Sequence, residues 1–81
     1  MRGEAEIRFD TRRDGALRVA LYDLGGRCVR TLYAGAATAA GTQRFTLNAR
    51  TDDGRPLEAG VYFVRVQGPD GARSSRLLLL R

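Results

Sequence analysis

The sequence predicts an all-β fold, a small immunoglobulin-like antiparallel β-sandwich. Three observations carry that expectation. Apolar residues recur with period two in several short runs, glycine- and aspartate-rich turns separate the runs, and no segment holds a convincing helical period. The 81 residues fit one small domain, 1–81, somewhat shorter than the roughly 100 residues of a complete immunoglobulin-like domain.

From Glu4 to Phe9 the alternation is strict, with Ala5, Ile7 and Phe9 on one side and Glu4, Glu6 and Arg8 on the other. Such alternation marks a half-buried strand. Asp10 to Gly15 is polar and reads as a loop. Ala16 to Asp23 forms the next strand, with Leu17, Val19 and Leu21 inward and Arg18, Ala20 and Tyr22 outward. Leu24-Gly25-Gly26 turns the chain tightly, since adjacent glycines tolerate positive φ. Arg27 to Tyr33 is the return strand. Val29 and Leu32 both belong to a core yet do not alternate, and a β-bulge reconciles them.

Gly35 to Gly41 is an alanine-rich connection, with room for a helical turn but too short for a stable helix. Thr42 to Leu47 is another strand, with Phe45 and Leu47 on one face. Asn48 to Gly60 is the longest irregular stretch, centred on Asp52-Asp53-Gly54-Arg55-Pro56. Val61 to Val66 and Ala72 to Arg81 then form a hairpin through Gly68-Pro69-Asp70-Gly71, residues that each favour turn geometry.

Composition removes several function classes. Hydrophobic content of 43% and charged content of 28% are those of an ordinary globular chain. No apolar run approaches the ~18 residues that cross a bilayer. Met1-Arg2-Gly3-Glu4 lacks the apolar core of a signal peptide, so an exported domain of this kind relies on a first signal elsewhere in a longer parent. The net charge is +5 and all 14 basic residues are Arg. Only Arg12 and Arg13 are adjacent, beside Asp10 and Asp14, so the clustered positive face of a nucleic-acid binder is not expected.

The chain contains no histidine, which removes Ser-His and Cys-His catalysis and the commonest zinc ligand. Cys28 is alone, so no disulfide forms within the chain, and its apolar neighbours make it a small buried or half-buried hydrophobe. Asp52-Asp53-Gly54 superficially resembles a calcium loop but has too few carboxylates at the required spacing, and reads as a turn. The remaining acids sit singly in turns or on solvent faces, with no pair spaced for general acid–base work. No enzymatic activity, cofactor, metal or small-molecule substrate is expected.

A set of ordered pieces resembles a known bacterial module. They are Val19 to Arg27, Val29-Arg30-Thr31-Leu32, Ala40-Gly41, Asp53-Gly54-Arg55-Pro56-Leu57 and Gly60-Val61-Tyr62-Phe63. Together they resemble the immunoglobulin-like C-terminal sorting domain carried by cargo of the type IX (Por) secretion system. Through the middle of the chain they are equally similar to the immunoglobulin-like domain of the flagellar hook-capping protein, and the resemblance covers Ile7 to Arg81. Sorting domains end in a Gly-x-Tyr strand and a basic-plus-hydrophobic strand, matched here by Gly60-Val61-Tyr62 and by Arg76-Leu77 through Arg81.

Two departures stand out. Leu47-Asn48-Ala49 occupies the place of the usual Trp-Asp-Gly, and Met1 to Glu4 replaces the usual Asn-Pro-Phe-type opening. The first implies an underfilled core at Leu47, which a tryptophan there would repair.

The resemblance implies a non-enzymatic C-terminal sorting module. It would carry an upstream cargo domain across the outer membrane through the secretion machinery to the cell surface. A structural assembly domain of hook-capping type, or a passive spacer, are the alternatives. The candidate recognition residues are Gly60, Tyr62, Arg76, Leu77, Leu78, Leu80 and Arg81. Tyr62 also reads as a core residue, its ring inward with Val64 and Val66 and its hydroxyl at the rim. In the last strand Leu77 and Leu79 face the core, while Arg76, Leu78 and Leu80 point away and leave an exposed apolar patch.

Overall fold

A computed structural model describes residues 3–80. Its strands are β1 (Glu4–Thr11), β2 (Gly15–Asp23), β3 (Cys28–Thr38), β4 (Gly41–Asn48), β5 (Gly60–Gly68) and β6 (Gly71–Leu79). β1 and β4 form a two-stranded sheet, and β3-β2-β5-β6 form a four-stranded one. Every pairing is antiparallel. The expected all-β immunoglobulin-like sandwich is therefore the fold.

The inward rows meet between the sheets. Leu17, Val19 and Leu21 of β2, Leu47 of β4, Tyr62 and Val64 of β5 and Leu79 of β6 form the buried cluster. Ile7, Phe9 and Phe45 pack against it from the smaller sheet. Along one side the sheets are stitched by rings: Phe45 lies 5.3 Å from Tyr33 of β3 and 5.9 Å from Phe9 of β1, between centroids. Aromatic pairs at such spacing add stabilisation beyond the area they bury.

The expected bulge is present, and more than once. The β2–β3 register slips between Val19 and Ala20 and again between Leu21 and Tyr22. Leu32 and Val29 are the residues left without a partner in β2, and both turn towards the core. The extra residues also bend the strand, as bulges do.

Three sequence expectations are corrected. The alanine-rich segment from Gly35 holds no helical turn: β3 runs on to Thr38, and β4 begins at Gly41. Its pairing of Gly35 with Leu17 and of Thr38 with Gly15, plus a 2.8 Å bond between the Tyr33 and Thr38 hydroxyls, holds it extended. The polar loop after β1 is shorter than read, because the strand continues to Thr11. Cys28 is exposed rather than buried. It pairs with Tyr22, which belongs to the outer row of β2, and opposite residues of an antiparallel pair share a face.

All six aspartates fasten the ends of strands and turns. Asp14 accepts from the Ala40 N–H at 2.7 Å, Asp23 from the Arg27 N–H at 2.9 Å and Asp70 from the Arg12 N–H at 2.8 Å. Asp10 accepts from the Thr42 hydroxyl at 2.8 Å, and Asp52 takes the Thr31 N–H into both oxygens at 3.0 and 3.2 Å. Asp53 is bonded by the Thr51 hydroxyl and paired with Arg55 at 3.3 Å. The Thr51 bond first, and the Arg55 charge after it, lower its carboxyl below the usual range. Asp52-Asp53-Gly54 is thus a turn docked on β3.

Gly15 is where the β1–β2 and β5–β6 turns press together. Its φ is +153°, and a Cβ there would stand 2.7 Å from Pro69 Cγ in the β5–β6 turn. A side chain meets both backbone strain and a rigid ring. Gly15→Ala is expected to destabilise the fold by about 1–3 kcal/mol, measurable as a shifted urea midpoint at unchanged slope.

Candidate docking face

The four-stranded sheet has an outer face, and cross-strand register sets what stands on it. Tyr22 is opposite Phe63, Phe63 is opposite Arg76, and Val61 is opposite Leu78. Tyr22, Val61 and Phe63 are half-buried, while Leu78 and Leu80 are 53% and 44% exposed. These residues form an apolar strip near one end of the face, beside the Arg76 guanidinium. Further along β2, Arg18 reaches over Ala20 to the Tyr22 hydroxyl at 2.7 Å. That bond spans Ala20, which is wholly buried although it belongs to the outer row. Arg18 also approaches Cys28 Sγ at 3.7 Å.

The sequence-derived candidates divide between the two faces. Arg76, Leu78 and Leu80 are outward and exposed. Leu77 and Tyr62 are inward: they pair with each other, and Tyr62 is 8% exposed. Gly60 opens β5 opposite Leu79 with a φ of +152°, which an L-residue resists. Arg81 lies outside the described residues. Sequence reasoning missed Val61 and Phe63. Once Tyr62 is inward, the period of two sends both neighbours outward, so the signal was available.

Tyr62 does more than fill space. Its hydroxyl donates to the Glu58 carbonyl at 2.6 Å, pinning the end of the β4–β5 loop to the start of β5. Immunoglobulin-like domains use a tyrosine near a late strand in the same way. Tyr62→Phe keeps the ring and removes this bond, so a loss of about 0.5–1.5 kcal/mol is expected in chemical unfolding.

An antiparallel sandwich of six strands among the described residues, its aspartates engaged in turns, defines a small immunoglobulin-like domain. The chain belongs to the FlgD Ig-like domain family, whose match spans residues 1–72. No curated protein and no solved structure matches it.

Proposed function

We propose that the domain is a non-enzymatic structural assembly module of the flagellar hook-capping type, which packs against a neighbouring subunit through the outer face of its larger sheet. The observation that carries this reading is the family match over residues 1–72. The outer face supports it, because Val61, Phe63, Leu78 and Leu80 gather apolar area on one side, as interaction surfaces do. Titration of the isotope-labelled chain with flagellar hook subunits tests it. Amide shifts and broadening confined to that face are expected, and an unperturbed face would overturn the reading.

A second reading has its own observation. Arg76 to Leu80 lies beyond the matched residues 1–72, and its outward row is exposed while Leu79 anchors the strand in the core. On this reading the domain is a C-terminal sorting module, its partner the outer-membrane secretion machinery and its destination the cell surface. Fusion to the C-terminus of a periplasmic reporter in a host with type IX secretion separates the two. Export of the reporter supports sorting, and its retention in the periplasm leaves the assembly reading alone.

A further inference from the structure

The sandwich is closed along one side and open along the other. The Phe45 ring of β4 packs against Tyr33 of β3 and closes the first side. On the opposite side β1 pairs only with β4, and β6 only with β5, among the described residues. Each therefore directs alternate backbone N–H and C=O groups away from its partner, as an edge strand does. Between them lies a cleft of about 500 Å³.

Burial along the cleft shows a missing cover. Leu79, Leu77, Ser75 and Arg73 form the inward row of β6, opposite Gly60, Tyr62, Val64 and Val66. Leu79 is buried, Leu77 half-buried, and Ser75 and Arg73 are exposed although they face inward. Ile7, Phe9 and Val66 line the same cleft and are only half-buried, above a floor in which Leu17 and Val64 are buried. The cleft is also preformed. Asp70 of the β5–β6 turn binds the Arg12 N–H at 2.8 Å, and Pro69 presses on Gly15, so the two turns fix one end.

The rim selects an occupant. Arg8, Arg12, Arg13 and Arg73 gather at that fixed end with Asp10 and Asp70. Both aspartates are bonded to neutral donors, the Thr42 hydroxyl and the Arg12 N–H. The ion pair among the described residues is Arg55–Asp53, so the four guanidiniums at the cleft have no carboxylate within 4.0 Å there. A second copy of this chain would bring +5 against +5.

We infer that the β1–β6 cleft accepts an extended peptide strand from a partner, one in which acidic residues alternate with apolar ones. The strand adds to the β1 edge by backbone hydrogen bonds, the mode by which exposed sheet edges capture peptides. Its apolar side chains cover Ile7, Phe9 and Val66, and its acids meet the arginine rim. This surface is separate from the outer face, so its failure and that of the proposed function are distinguishable.

The probe is a blocked synthetic peptide of about nine residues, the length of a strand, alternating Val and Asp. Two controls alternate Val with Lys, or carry Pro at the centre of the acidic peptide. Titrated into the isotope-labelled chain, the acidic peptide is expected to shift amides of β1 and β6 and to slow hydrogen exchange along the β1 edge. Its affinity should fall at least tenfold in Arg8→Ala/Arg73→Ala, and again at least tenfold between low and high salt. Both arginines are exposed, so the variant's unchanged melting temperature certifies its fold. Equal binding by the Lys or Pro control, shifts confined to the Val61–Leu78 face, or no binding at millimolar peptide would each overturn the inference. So would a peptide-free dimer in sedimentation that protects the β1 edge, since the occupant would then be a second copy.

Discussion

Leu47→Ala is expected to lower the melting temperature by roughly 10–30 °C, the largest single-residue effect foreseen here. Leu47 has 0% exposure and is among the three largest fully buried side chains, with Leu21 and Val19. Truncation removes its burial and leaves a cavity, which together cost about 2–5 kcal/mol at such sites. A domain of this size has little stability beyond that, so part of the population unfolds at ambient temperature. Thermal unfolding followed by far-UV circular dichroism measures it, and a shift of only a few degrees would mean the core collapses around the deletion. The sequence expects Leu47→Trp to stabilise, and the enclosure of Leu47 argues for the opposite outcome. The indole must displace neighbours in an enclosed site, at about 1–3 kcal/mol. A raised melting temperature for that variant would show unused room around Leu47.

How much of the fold was legible depended on whether local pattern and tertiary pairing agreed. β1 carries clean alternation, because one face meets the core and the other meets solvent, and the inward rows of β1 and β2 and Tyr62, Val64 and Val66 of β5 were readable directly. β3 was half legible. Val29 and Leu32 announced a bulge, but Gly35 to Thr38 is poor in the residues that favour strands, and tertiary contacts, pairing with β2 and the Tyr33–Thr38 hydroxyl bond, hold it extended. Cys28 went wrong for a related reason: its apolar neighbours say nothing about which face it takes, which register with Tyr22 decides. Leu57 was not recognised as core at all. It sits 4% exposed in an irregular loop, fixed by its N–H to the Ala49 carbonyl at 2.9 Å, and no periodicity surrounds it.

The surfaces were legible to different depths. Alternation alone sent Arg76, Leu78 and Leu80 outward, and the structure agrees. Joining the outward Phe63 and Tyr22 to that row as one apolar strip required knowing that β5 lies between β6 and β2. The arginine rim lay out of reach. No compact basic stripe is visible along the chain, yet the fold brings Arg73 to Arg8, Arg12 and Arg13 through turns joined across 58 residues. Long-range loop contacts of that kind leave no period, spacing or composition behind them.

Replacing Arg76, Leu78 and Leu80 by Ser, Thr and Thr is expected to change partner recognition far more than stability. The three residues alternate along one strand end and face away from the core, with Leu78 and Leu80 53% and 44% exposed. Exposed substitutions each shift stability by about 0.5 kcal/mol or less, and Thr suits a pleated surface. Together they cost about 1.5 kcal/mol or less, so the melting temperature should move by about 10 °C or less. What disappears is the apolar and basic character of the strip, from which the proposed hook-subunit binding would draw its contact area and which sorting machinery would read in that strand. Loss of hook-subunit binding in the folded triple variant is the expected result, and reporter export should fail with it if the domain sorts cargo. Leu79→Thr supplies the contrast: at 3% exposure on the inward row, it should destabilise the sandwich strongly. A folded triple variant that still binds or exports normally would place recognition elsewhere on the domain. A large drop in its melting temperature would show that the outward row is itself structural.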